Sequence, residues 1–216
     1  MIDARLQLAL DGGGLELPDE GTIAVFQPPR DSDLPGLDKD RVQIIQDFKP
    51  DYDVWAARGY DVVRSFEGSY AACIVCLPRA KAEARAMIAD ACEACDGIVV
   101  IDGQKTDGAD SILREMRSRV TIHGPISKAH GKLFWIAEPA AEFFVDWKQG
   151  PEQTDGGFWT APGVFSADGV DLASALLVDA LPEKLGAEVA DLGAGWGFLS
   201  AHILTRESVQ KLYVVE

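Results

Sequence analysis

The stretch VADLGAGWGFLSAHIL, Val189 to Leu204, restricts the fold more than any other in this chain. An apolar run reaches Leu192, three glycines follow at alternate positions, and then the apolar spacing becomes helical. It reads as strand, glycine turn and helix. Gly193, Gly195 and Gly197 follow Asp191 in the pattern D-x-G-x-G-x-G. Glycine reaches positive φ without steric cost and lets a ligand approach the backbone closely. The run KLYVVE then supplies a second strand ending at Glu216. Two strands joined by a helix form a βαβ unit, whose strands are parallel.

The same alternation runs upstream. GTIAVFQPP reads as a strand entering a proline turn, and RVQIIQDFKPDYDVWAARG mixes a short strand with a helical stretch. YAACIVCLP is a strand, RAKAEARAMIADACEAC a helix, DGIVVIDG a strand and GADSILREMRSRV a helix. RVTIHGPIS and GKLFWIAEP close the series as strands, and residues 1–20 read as a polar lead-in with a glycine-rich bend. The fold class expected is α/β with Rossmann-like layers. The expected boundaries are a first domain over 1–140, a connection over 141–163 and a second unit over 164–216. AVFQPPRD follows the first strand, where a nucleotide-binding turn would lie. Its two prolines remove backbone donors, so the first domain is expected to be degenerate and without a cofactor of its own.

A net charge of −15 argues against a protein that coats nucleic acid generally, though not against a local basic patch. No run of 18 apolar residues is present, and the first residues lack the features of a secretory signal. A cytoplasmic protein is expected. Two C-x-x-C pairs, Cys73/Cys76 and Cys92/Cys95, have zinc-like spacing. On a strand, however, positions three apart point to opposite faces. The Cys92 segment carries the apolar stripe Ala84, Met87, Ile88, Ala91, Cys92, Cys95 of a buried helix face. These cysteines are expected to be core residues, with no metal.

The dinucleotide fingerprint G-x-G-x-x-G would put its third glycine at position 198, which is Phe198. The tighter spacing suits S-adenosylmethionine, which has no phosphates. Asp191 can then meet the ligand ammonium. Glu216, at the carboxyl end of the next strand, can accept both ribose hydroxyls.

Upstream, PGVFSADGVDLASALLVDALP resembles a signature of the methyltransferase small domain family. That group includes the bacterial enzymes that methylate the exocyclic amine of guanine in 16S ribosomal RNA. The matching positions are Gly163–Ser166, Asp171 and Ser174; a family glycine is replaced by Ala173. The resemblance implies that Phe165, Ser166 and Ser174 line the cofactor pocket. A looser similarity over LPRAKAEARAMIADACEACDGIVVIDGQKTDGADSILREM implies that the first domain is a duplicated, cofactor-free methyltransferase-like fold. The second unit would be the start of the catalytic domain.

The family orients its target amine with an Asn-Pro-Pro-Phe type loop. No N-P-P or D-P-P occurs here, so the catalytic residues are expected beyond Glu216, and the chain is expected to be an inactive piece of a longer enzyme. The expected partner is ribosomal RNA or the small ribosomal subunit. Candidate RNA contacts are Arg114, Arg117, Arg119, Lys128 and Lys132, near Lys105, His123 and His130. Two alternatives stay open: a non-catalytic interaction or dimerisation module, and methylation of a protein glutamine or of DNA adenine.

Overall fold

Residues read from sequence as a polar lead-in begin instead with a helix, α1 (Ile2–Leu10). Ile2, Leu6 and Ala9 share one buried face. Arg5 is buried with them, and a charge on that face hides the helical pattern. The computed structural model describes residues 2–138, 141–154 and 156–216. The chain divides into two units, Met1–Lys148 and Gln149–Glu216. The division falls inside the expected 141–163 connection, and Phe144 and Trp147 are buried in the core of the first unit.

After α1 the first unit continues with β1 (Ile23–Phe26), β2 (Val42–Ile45), α2 (Lys49–Ala57), β3 (Asp61–Val63) and β4 (Tyr70–Cys76). Then come α3 (Lys81–Ala94), β5 (Cys95–Gln104), α4 (Ala109–Arg117), β6 (His123–Lys128) and β7 (Gly131–Ile136). The sheet order is β3-β2-β1-β4-β5-β7-β6. The first five strands run parallel, β7 is antiparallel to β5, and β6 pairs with β7 as a hairpin.

Strand side chains alternate between two cores. Ala24, Phe26, Val75, Val99 and Ile101 face one layer with α3 and α4. Ile23, Val25, Ile74 and Val100 face the other with α1 and Trp55 of α2. Burial on both faces explains why these strands read as continuous apolar runs. Cys73 lies in the first layer with Cys92 and Cys95, whereas Cys76 lies in the second. Burial pushes the Cys92 thiol up to about 12. After β1 the carbonyl of Pro28 accepts the Trp55 indole N–H at 2.9 Å, so core packing fills that turn.

The second unit holds a short hairpin, β8 (Glu152–Gln153) with β9 (Trp159–Thr160), then α5 (Leu172–Ala180). β10 (Glu188–Leu192), α6 (Phe198–Leu204) and β11 (Lys211–Val215) complete a parallel βαβ unit. Among the described residues, no helix is long and apolar enough to cross a membrane.

Candidate functional site

The site is built around the turn between β10 and α6. Gly193 and Ala194 both donate their N–H to the Val215 carbonyl, at 2.8 and 3.1 Å. Gly195 donates to Oε2 of Glu216 at 2.6 Å, and Gly197 donates to the Ala194 carbonyl at 2.9 Å. The first three bonds fasten the turn to the end of β11, and the fourth closes the turn on itself. The three glycines have φ of 77°, 56° and 91°, a region that side-chain-bearing residues rarely adopt. A Cβ on any of the three would meet no atom of the protein within 4 Å. Their requirement therefore comes from backbone conformation and from the open side of the turn, not from packing inside the chain.

Asp191 is only 7% exposed at the end of β10 and accepts a hydrogen bond from the Ser200 hydroxyl at 2.6 Å. This fixes the carboxylate under the turn. Sequence reasoning passed over Ser200, whose signal is its place three residues into α6, one turn above Asp191. One Glu216 oxygen is committed to Gly195, so a two-oxygen grip on a diol needs that bond to yield.

The remaining candidates come from the segment before α5. Asp171 caps that helix, accepting from the Ser174 backbone N–H at 2.9 Å and from its hydroxyl at 3.2 Å. Ser166 has φ of 56°, and Phe165 is 70% exposed. Phe165, Ser166, Asp171 and Ser174 line one cleft with Gly193, Ala194 and Gly195, with a volume of about 90 Å³. That volume suits a small polar group rather than a whole nucleoside. Trp196, Phe198 and Leu199 complete the wall and were not anticipated. Trp196 packs on Phe158 at 4.9 Å between ring centroids, and Phe198 lies 5.6 Å from Trp196.

The basic candidates lie in the first unit and differ in how they are engaged. Arg119 is engaged within the protein. It makes a paired contact to Asp146 at 2.5 and 2.7 Å, bonds the Phe143 carbonyl and stacks over Trp147. Lys132 pairs with Asp110 at 2.5 Å. Arg114 and Arg117 are exposed on α4, and Lys128 is exposed at the end of β6.

Residues 155–216 match the family model of the methyltransferase small domain. The chain is 29% identical over 120 residues to ribosomal RNA small subunit methyltransferase C of Hahella chejuensis, covering 48% of this chain and 33% of that protein. It is 33% identical over 113 residues to the Cronobacter sakazakii protein of the same name, covering 48% of this chain and 31% of that protein. The chain thus spans about a third of the length of these curated relatives. Its fold is similar to that of the T. thermophilus 16S rRNA N2 G1207 methyltransferase, solved in complex with AdoMet and guanosine. The TM-score is 0.72 at 23% identity, over 99% of this chain and 62% of that one. Residues 155–216 thus match the methyltransferase small domain model, and about half of the chain is similar in sequence to ribosomal RNA small subunit methyltransferase C proteins.

Proposed function

We propose that this chain carries the cofactor turn of a cytoplasmic S-adenosylmethionine-dependent methyltransferase, and that its target is the exocyclic amine of a guanine in 16S ribosomal RNA. The observation that carries the reading is one cleft. Side chains from the GVFS segment and the α5 cap meet a turn whose three glycines present open space. The turn's conformation and its missing Cβ atoms fit an amino-acid group lying across it.

In this reading the glycine backbone and Ser174 hold the cofactor's amino-acid end, and Asp191, oriented by Ser200, offers a negative charge to its ammonium. Glu216 takes the ribose hydroxyls. Phe165 and Trp196 cover the cleft against water. When bound, adenosylmethionine supplies an electrophilic methyl on a sulfonium centre. The guanine amine is a weak nucleophile because its lone pair is delocalised, so catalysis rests mainly on orientation. Residues 1–216 contain no Asn-Pro-Pro or Asp-Pro-Pro loop to orient it. By themselves they are expected to bind adenosylmethionine weakly and to transfer no methyl.

The test uses full-length protein, labelled adenosylmethionine and small ribosomal subunits that lack the modification. Label in a 16S guanine, lost in Gly195→Ala, is expected. Label in protein with none in RNA would overturn the substrate assignment.

A further inference from the structure

In the first unit, one pocket stands out against the acidity of the chain. It lies at the carboxyl end of β5, has a volume of about 310 Å³ and is lined by Lys105, Lys128, His130, Lys132, Asp110 and the start of α4. We propose that this pocket binds the phosphodiester backbone of the RNA substrate. The proposal rests on the methyltransferase reading above for the identity of the polyanion.

Three observations carry it. The first is charge. The net charge of the chain is −15, yet Lys105, Lys128 and Lys132 converge on one pocket, with Arg114 one helical turn beyond Asp110. Asp110 is the acid among them. Its bond from Lys132, with the added fields of Lys105 and Arg114, holds its carboxyl below the usual range. The neighbouring acid, Asp107, faces Arg79 and accepts the Gln104 backbone N–H instead. One carboxylate against three lysines and an arginine leaves an uncompensated positive field, the condition that attracts phosphates.

The second is rigidity. Lys105 donates its backbone N–H to the His130 carbonyl at 2.9 Å. Beneath the pocket, buried Arg5 pairs with Asp102 through two bonds and donates a third to the Lys128 carbonyl at 2.9 Å. A Cβ on Gly131 would run into that guanidinium, so only glycine lets the turn sit this low. The lysine stems therefore leave from a fixed frame, which lowers the ordering cost of binding.

The third is strain. Lys128 pairs with Gly131 across a two-residue turn, Ala129–His130, whose φ values are 49° and 57°. Both central positions need positive φ in such a turn, and Asn-Gly is the sequence that adopts it easily. Keeping Ala and His there costs stability, and strained turns persist where a site is under construction. The location agrees as well. Ligands of open α/β sheets bind beyond the carboxyl ends of the strands.

The test is the salt dependence of binding by the full chain to a fragment of 16S ribosomal RNA. Lys105→Ala/Lys128→Ala changes two exposed side chains, and an unchanged thermal midpoint checks the fold. The expected result is about tenfold weaker binding at fixed salt, and a log–log salt slope shallower by about 1.4 to 1.8, the share of two phosphate contacts. An unchanged slope would overturn the proposal, as would polyglutamate competing as well as RNA. Adenosylmethionine binding, followed separately by calorimetry, reports on the second unit. Absence of that binding in the full-length protein, with the salt slope still made shallower by the lysine changes, would sink the methyltransferase reading and leave the backbone site standing.

Discussion

Arg5 and Asp102 form a buried ion pair, 0% and 4% exposed, bonded at 2.5 and 2.8 Å. Burial pushes the Asp102 carboxyl above the usual aspartate range, against the pull of Arg5. Removing one partner strands the other charge in the core. Arg5→Met or Asp102→Leu is expected to cost about 3 to 5 kcal/mol in denaturant unfolding, and the double variant clearly less than either single change. A double-variant loss equal to the sum would mean the two do not act as a pair. At the second site, Gly195→Ala meets no protein atom, so its effect on folding is confined to the left-handed backbone, about 1 to 2 kcal/mol. Its effect on adenosylmethionine binding is expected to be larger, at least a hundredfold by calorimetry. These two sites differ in how well sequence exposes them. Asp191 and the glycines are local, so their spacing announces them. Arg5 finds its partner 97 residues away, and nothing nearby in the chain distinguishes it from a solvated arginine.

Among elements, legibility followed length and burial. β4, α3 and β5 are long, and two-sided burial or a single apolar stripe made each visible. β3 has three residues and α1 carries a charge on its inner face, so neither had a periodicity to read. The β6–β7 turn offers a sharp test. Ala129→Asn/His130→Gly supplies the residues that positive φ favours, and should raise the thermal midpoint by about 2 to 4 °C per kcal/mol relieved. If His130 contributes to the RNA site, the same variant binds RNA less well. A second test concerns the tie between α3 and α4. Burial pushes Glu115 up, but hydrogen bonds from Lys81 and Arg85 outweigh it and hold its carboxyl below the usual value. A depressed folded value means the contribution is present at neutral pH and disappears as pH falls through that folded value. Glu115→Gln should therefore destabilise at neutral pH and have a smaller effect in acid, read by urea unfolding at both.

At the scale of the whole chain, the two units differ in how completely each buries its apolar surface. In the first, a seven-stranded sheet is covered on both faces, and Ile74, Val100 and Ile101 are fully buried. In the second, β10 and β11 form a two-stranded sheet, and Leu172, Leu176, Val214 and Val215 are each more than half exposed. A smaller unit buries a smaller share of its surface, and its stability is correspondingly marginal. Amides of β4 and β5 should exchange hydrogen only through global opening, while those of β10 and β11 exchange through a lower-energy local opening. On the proposed reading adenosylmethionine binds the folded turn and not its open form, so in the full-length protein it should slow exchange in the second set alone. The expected gain follows RT ln(1 + [L]/Kd), about 2.7 kcal/mol at a hundredfold excess over Kd. Exchange measured by mass spectrometry with and without the cofactor checks this. Protection appearing in the first unit would place a cofactor where Trp55 now bonds Pro28, and would overturn the assignment of that unit as cofactor-free.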